Sequence, residues 1–172
     1  MESRHVSRYF AFRAGRRYMM SHWPKLSVTC DQDTHLFLSA KVTIGPRRDT
    51  CEASSILRSA RRRVPLKRVT LDAGYDAEYI HAMIRQELGA HSLIPPKSGR
   101  KTRKWPPTKY RRQMKKRFLR KVYGQRWQVE SAFSRHKRLL GSELANSSWV
   151  GQKREIYARV LTHNLMILRC AA

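Results

Sequence analysis

Four residues in the last third of the chain, Tyr123, Arg126, Glu130 and Lys137, are spaced three, four and seven apart. On one α-helix all four fall within roughly 60° of arc. A phenol, a guanidinium, a carboxylate and an ammonium then stand in one file. Val129, Phe133 and Leu140 occupy the adjoining arc, so the file borders a buried face, and Ser131, Ser134, Arg135 and Arg138 hold the opposite side. The plain chemistry of such a file is i,i+4 ion pairing, worth about 0.2–0.5 kcal/mol per pair. A second carboxylate, Asp72, follows the short apolar strand Val69-Thr-Leu71, at the carboxyl end where α/β sheets place their chemistry.

The surroundings argue for more than ion pairs. The 172 residues carry 37 Lys+Arg against 12 Asp+Glu, a formal net charge of +25, while 41% apolar content is ordinary for a folded domain. Such a balance points to polyanionic partners. No acid occurs between Leu88 and Val129, and Lys97–Lys121 holds thirteen Lys or Arg with Trp105 and Tyr110 among them. Length and purity of sign favour a phosphate-tracking segment over a merely solvated loop. Lys104, Arg111, Arg112 and Lys116 are its candidate DNA contacts. Residues 1–25 interleave arginines with aromatic residues, as either a nucleic-acid surface or a loose arm would. Cys30, Cys51 and Cys170 have neither metal spacing nor a disulfide framework, which fits a reducing cytoplasm. There is neither a membrane-length apolar run nor a secretory signal pattern.

The elements that must position these groups follow from periodicity. Leu26–Cys30 and Leu36–Ile44 alternate about the turn Asp31–Thr34 and predict a β-hairpin ended by Gly45-Pro46. Asp49 with Glu52 forms a near capping box for a helix whose apolar face is Ala53, Ile56, Leu57 and Ala60. Asp76 is placed to cap a helix carrying Tyr79, Ile80, Met83, Ile84 and Leu88. His91–Ile94 reads as another strand, ended by Pro95-Pro96. Arg111–Lys121 predicts a helix leading into a continuous helix over Tyr123–Lys137. The last helix, about Gln152–Arg169, is apolar nearly all round from Val160 to Leu168. Burial is expected for it, with His163 and Asn164 as satisfied polar groups.

With these motifs in place the chain resembles the DDE transposases of bacterial and archaeal insertion sequences. One large group carries Tyr, two residues, Arg, three residues, Glu, six residues, Lys, and Tyr123, Arg126, Glu130 and Lys137 match every position. Members also carry Asp-x-x-Tyr-Asp after a short strand, as in Asp72-Ala-Gly-Tyr-Asp76. Ser7-Arg-Tyr-Phe10, Trp23-Pro-Lys-Leu26, the Asp31-x-x-Thr-His35 hairpin and Gly45-Pro-Arg-Arg-Asp-Thr50 extend the likeness over nearly the whole chain. The resemblance implies an α/β, ribonuclease H-like fold: a mixed sheet flanked by helices, with a helical C-terminal end. It implies one domain over 1–172, with a basic insertion at about 95–121. It also implies metal-dependent phosphoryl transfer at transposon ends, with carboxylates holding two Mg²⁺ or Mn²⁺ ions about 3.5–4 Å apart. Asp72 and Glu130 would be catalytic metal ligands. Arg126 and Lys137 would contact phosphate and Tyr123 the DNA, by stacking or by a phosphate bond. The partners implied are transposon-end and target DNA and a second copy of the chain, in the cytoplasm at the nucleoid.

One departure stands out. The family's first catalytic Asp lies on the strand before the hairpin, and here no Asp precedes Asp31. The expectation is a chain that starts late, lacks the first strand, and supplies two of three metal carboxylates. Such a chain would bind DNA without cleaving it alone. A non-catalytic DNA binder that modulates a full-length partner is the alternative. Charge alone would also suit a ribosomal-type RNA binder, which leaves Glu130 unexplained.

Overall fold

The structure, a computed structural model, describes residues 24–45, 49–97 and 105–171. The basic and aromatic arm up to Trp23, Pro46 of the strand end, and Lys104 lie outside the described residues.

The hairpin forms as its alternation predicts. β1 (Pro24–Cys30) pairs antiparallel with β2 (Phe37–Ile44) in the register Pro24↔Ile44 to Thr29↔Ser39, with a bulge between Thr29 and Cys30. Asp31 makes the turn: its Oδ2 accepts the Thr34 backbone N–H (2.9 Å) and the Thr34 hydroxyl (2.6 Å). α1 (Asp49–Arg61) takes in the expected cap residue as its first; the Asp49 side chain lies outside the described part. Its predicted face, Ala53, Ile56, Leu57 and Ala60, is buried.

β3 (Arg68–Thr70) and β4 (His91–Leu93) pair parallel. Their crossover is a 3₁₀ turn (Ala73–Tyr75), then α2 (Glu78–Ala82), which widens into a π turn (Met83–Glu87). This is the helical connection that parallel strands need. Ile80, Ile84, Leu88, Val69, Leu57 and Ile94 close the main core around it.

A single mixed sheet was expected; the described strands form two separate two-stranded sheets. Alternation shows which residues share a face and does not name the partner strand. The open edge of β2 is satisfied by side chains. Asn164 accepts the Phe37 N–H (2.8 Å) and donates to the Phe37 carbonyl (3.0 Å), and the Tyr157 hydroxyl accepts the Val42 N–H (3.3 Å). Both residues lie on α6 (Trp149–Ala171).

That helix corrects a second expectation. Ile156, Val160 and His163 are buried against the hairpin, but Leu161, Leu165 and Leu168 are each more than half exposed. Apolar composition all round suggested full burial, yet among the described residues only one side of α6 is covered.

The basic segment is also more broken than its sequence suggests. α3 (Lys109–Lys116) ends at Arg117, α4 (Arg120–Gly124) follows, and α5 (Trp127–Leu140) begins after a turn at Gln125 and Arg126. The continuous helix predicted over Tyr123–Lys137 is therefore interrupted. Across the break, Gln125, Arg126, Gln128 and Val129 bond three residues back, to Val122, Tyr123, Gln125 and Arg126. These are 3₁₀-type bonds that tighten the turn. Gly124, a poor helix residue, sits at the junction.

Candidate active site and basic face

Asp72 stands directly after β3 and its extension Leu71, at the carboxyl end of the parallel pair. It caps the following 3₁₀ turn: its Oδ1 accepts the Gly74 N–H at 2.7 Å. A Cβ on Gly74 would lie 2.8 Å from that oxygen, so this glycine lets the carboxylate fold over its own turn. Asp72 remains solvent-facing on the wall of a cleft of about 570 Å³. The same cleft is lined by Asp31 and Asp33 from the hairpin turn, and by Gln125, Arg126 and Val129 from the α4–α5 junction.

Arg126 is the signature residue that lies in this cleft. It lines the cleft with Asp72, and its Nη2 donates to Glu130 Oε1 at 2.8 Å, one turn along α5. The Glu130 side chain is 65% exposed and is not itself part of the cleft lining. Lys137 lies exposed further along α5. Tyr123, on α4, is half-buried and packs its ring on Phe118 with centroids 5.1 Å apart. The break before α5 thus leaves the Arg126–Glu130 pair intact but puts Tyr123 on a different helix.

Asp72 and Glu130 are hard oxygen donors of the kind Mg²⁺ prefers. In each, one oxygen is engaged, by Gly74 or by Arg126. Among the described residues no three His, Cys, Asp or Glu side chains gather closely enough to hold a metal ion. Asp72 and Glu130 have the donor chemistry such an ion takes, and the described residues close no complete cage around either.

On α3, Arg112 donates from Nε to the Pro106 carbonyl (3.2 Å) and is exposed, as is Lys116. Lys115 stands over the Trp105 ring, 5.3 Å from its centroid. Arg111 behaves differently. Its fork closes on Asp76, with Nε to Oδ1 at 3.0 Å and Nη2 to Oδ2 at 2.9 Å. Asp76 is accordingly not the cap its position suggested: Ala77 occupies the N-cap of α2 and makes no side-chain bond. The Asp76 side chain is fully buried. Burial would raise its pKa. The Arg111 hydrogen bond, the Lys97 N–H, and the charges of Arg111 and His81 outweigh that and hold the carboxyl below its usual range. Nothing in the local spacing pointed to this pair, because its members are 35 positions apart.

The family model for the Transposase DDE domain matches residues 5–165. This chain belongs to that family, and a general role in DNA transposition, with DNA as the partner, follows from the membership. Nothing matches the chain among curated proteins or among solved structures. No helix among the described residues is long and apolar enough to cross a membrane.

Proposed function

We propose that the cleft between the β3 end and the α4–α5 junction is the phosphoryl-transfer site of a ribonuclease H-like transposase domain spanning residues 1–172. Asp72 and Glu130 serve in it as carboxylate ligands. The observation that carries this reading is that Arg126 lines one cleft with Asp72 while bonding Glu130 at 2.8 Å. Arg126 is thus the residue common to the Asp72 cleft and to the contact with Glu130, which lies 58 positions beyond Asp72 in the chain.

When bound, divalent metal would supply Lewis acidity to the scissile phosphodiester of a transposon end. The chain's own groups do the rest. Asp72, held by the Gly74 turn, and Glu130, bonded to Arg126, would be the residues that hold the cation. Arg126 has further N–H groups for a bidentate phosphate contact, and Lys137 adds a point charge along the same helix. Tyr123 would meet the DNA beside them, and Arg112 and Lys116, with Lys104, would track the flanking backbone. A second copy of the chain would complete the assembly on two DNA ends, at the nucleoid.

Because no three His, Cys, Asp or Glu side chains among the described residues gather closely enough to hold a metal ion, we infer that the isolated chain binds DNA and does not cleave it. That also suits a non-catalytic DNA binder that modulates an active transposase. A nuclease assay with Mg²⁺ or Mn²⁺ tests this. The expected result is DNA binding without turnover. Vigorous cleavage abolished by Glu130→Ala would overturn the inactivity and keep the site.

A further inference from the structure

The second aspartate of the Asp72–Asp76 turn has no place in the metal chemistry above. It is fully buried and four residues from Asp72, yet its carboxylate holds two points of the basic segment at once, Lys97 near its start and Arg111 on α3. Oδ2 accepts the Lys97 N–H at 2.8 Å on the incoming side, and the Arg111 fork closes on both oxygens on the outgoing side. His81 Nε2 stands 3.6 Å from Oδ1 and is equally buried. Two residues on, Glu78 continues the pattern. Its Oε1 accepts the Tyr110 N–H (2.9 Å) and its Oε2 the Arg111 N–H (3.1 Å). These are free donors of the first turn of α3, whose own N-cap residue, Thr108, makes no side-chain cap. A carboxylate from α2 caps α3 in its stead, where the helix dipole favours negative charge. Arg85 completes the seat, donating to Gln113 (2.8 Å) and covering the Tyr110 ring at 5.0 Å.

We propose that Asp76 and Glu78 are positioning residues for DNA binding. They lock the basic helix α3 onto the α2 core and so fix the exposed cations Arg112 and Lys116 relative to Asp72. This rests on the proposed DNA-binding function, and it deepens it by separating two roles in one short acidic turn. Asp72 faces the cleft, and Asp76 and Glu78 hold the cationic face in register with it. Arg111, in the middle of the basic run, belongs to the clamp.

The test uses the sign of the effect. Asp76→Asn raises the net charge from +25 by one unit. Simple electrostatics would then tighten binding to a DNA duplex. The clamp predicts the opposite: affinity about tenfold weaker near 0.1 M salt, and a log K against log salt slope shallower by roughly one to two, as misplaced cations leave their phosphates. Glu87→Gln removes one negative charge from the exposed Arg58 pair and should bind as tightly as the parent or tighter. Arg111→Lys keeps the charge and loses the fork, and should weaken binding and flatten the slope. A direct phosphate contact would tolerate that change. If Asp76→Asn does not fold, Glu78→Ala takes its place. Amide exchange then reads the clamp without DNA. The Tyr110 and Arg111 amides should lose protection in Glu78→Ala while Ile80 and Ile84 keep theirs. A variant that binds DNA like Glu87→Gln, or in which these amides stay protected, overturns the proposal. Failure of the unsubstituted chain to bind DNA would instead overturn the function, leaving amide exchange to judge the clamp.

Discussion

Glu130, proposed to meet the cation, is held by an interaction too weak to matter for folding. The Arg126–Glu130 pair is an i,i+4 contact on an exposed helix face, with Glu130 65% open to solvent. Such pairs stabilise by about 0.3–0.5 kcal/mol, and screening lowers even that. Glu130→Gln should therefore leave the thermal midpoint within about 2 °C of the parent. It should also weaken Mn²⁺ binding, followed by the ion's paramagnetic broadening of water relaxation. A large fall in the midpoint would show Glu130 to be structural, and unchanged Mn²⁺ binding would remove it from the site. Asp76 is the contrasting acid. It is fully buried and multiply bonded, and substituting it leaves Arg111 and the Lys97 N–H without their acceptor. Exposure sorts the acids into those available for chemistry and those already engaged by the fold.

At the scale of elements, short-range patterns were readable and pairings between distant segments were not. The hairpin, the face of α1 and the placement of Asp72 after a strand all follow from periods of two or 3.6 and a turn residue. Asp76 with Arg111 and Glu78 with the start of α3 depend on contacts that no period encodes, and at Gly124 the apolar period runs on across a residue that weakens the helix. α6 was misread because composition does not say which side of an apolar helix is covered. Its attachment rests instead on Asn164, which pairs with both backbone groups of Phe37. Asn164→Ala should cost about 1–3 kcal/mol in urea unfolding, since it strands a donor and an acceptor. Leu165→Ala, on the open side of the same helix, should cost under about 0.5 kcal/mol. Equal costs would contradict this orientation. The same junction titrates. His163 stacks on Phe37 at 4.2 Å and meets His136 at 5.5 Å. Burial is the main cause holding both imidazoles below their ordinary pKa. For His136 the charges of His163, Arg159 and Lys137 add to it; for His163 those of Arg135 and His35 do, while the His35 carbonyl opposes. The folded values lie below the unfolded ones, so the unfolded chain binds protons first. Stability is then full above about pH 6.5 and falls as pH drops below it, by up to about 1.4 kcal/mol per unit for each histidine. Urea midpoints at pH 7.5 and 5.5 should show the fall, and a flat profile would argue against neutral buried imidazoles.

For the whole molecule, a net charge of +25 creates an ambiguity that binding alone does not resolve. A protein so basic attracts any polyanion at low salt, whatever its shape, because the summed field is long-ranged. Two arrangements predict different mutational patterns. If DNA is held by diffuse charge, removing any exposed cation should weaken binding by a similar small amount. If it is held along α3, Arg112→Ala and Lys116→Ala should each make the log K against log salt slope shallower by roughly 0.9, one phosphate apiece. Lys153→Ala, an exposed cation on α6, should barely change it. Backbone contacts carry no base information, so the α3 substitutions should weaken binding to unrelated duplexes by the same factor. Titrations of each variant from 50 to 200 mM salt on two duplexes of different sequence measure both quantities. Identical slopes for Lys153→Ala and Lys116→Ala would mean that the charge acts as a cloud. Unequal losses on the two duplexes would move α3 from backbone tracking to base reading. Clamping of α3 requires a localised loss shared by both sequences, because cations fixed on one helix would each meet one phosphate of the backbone.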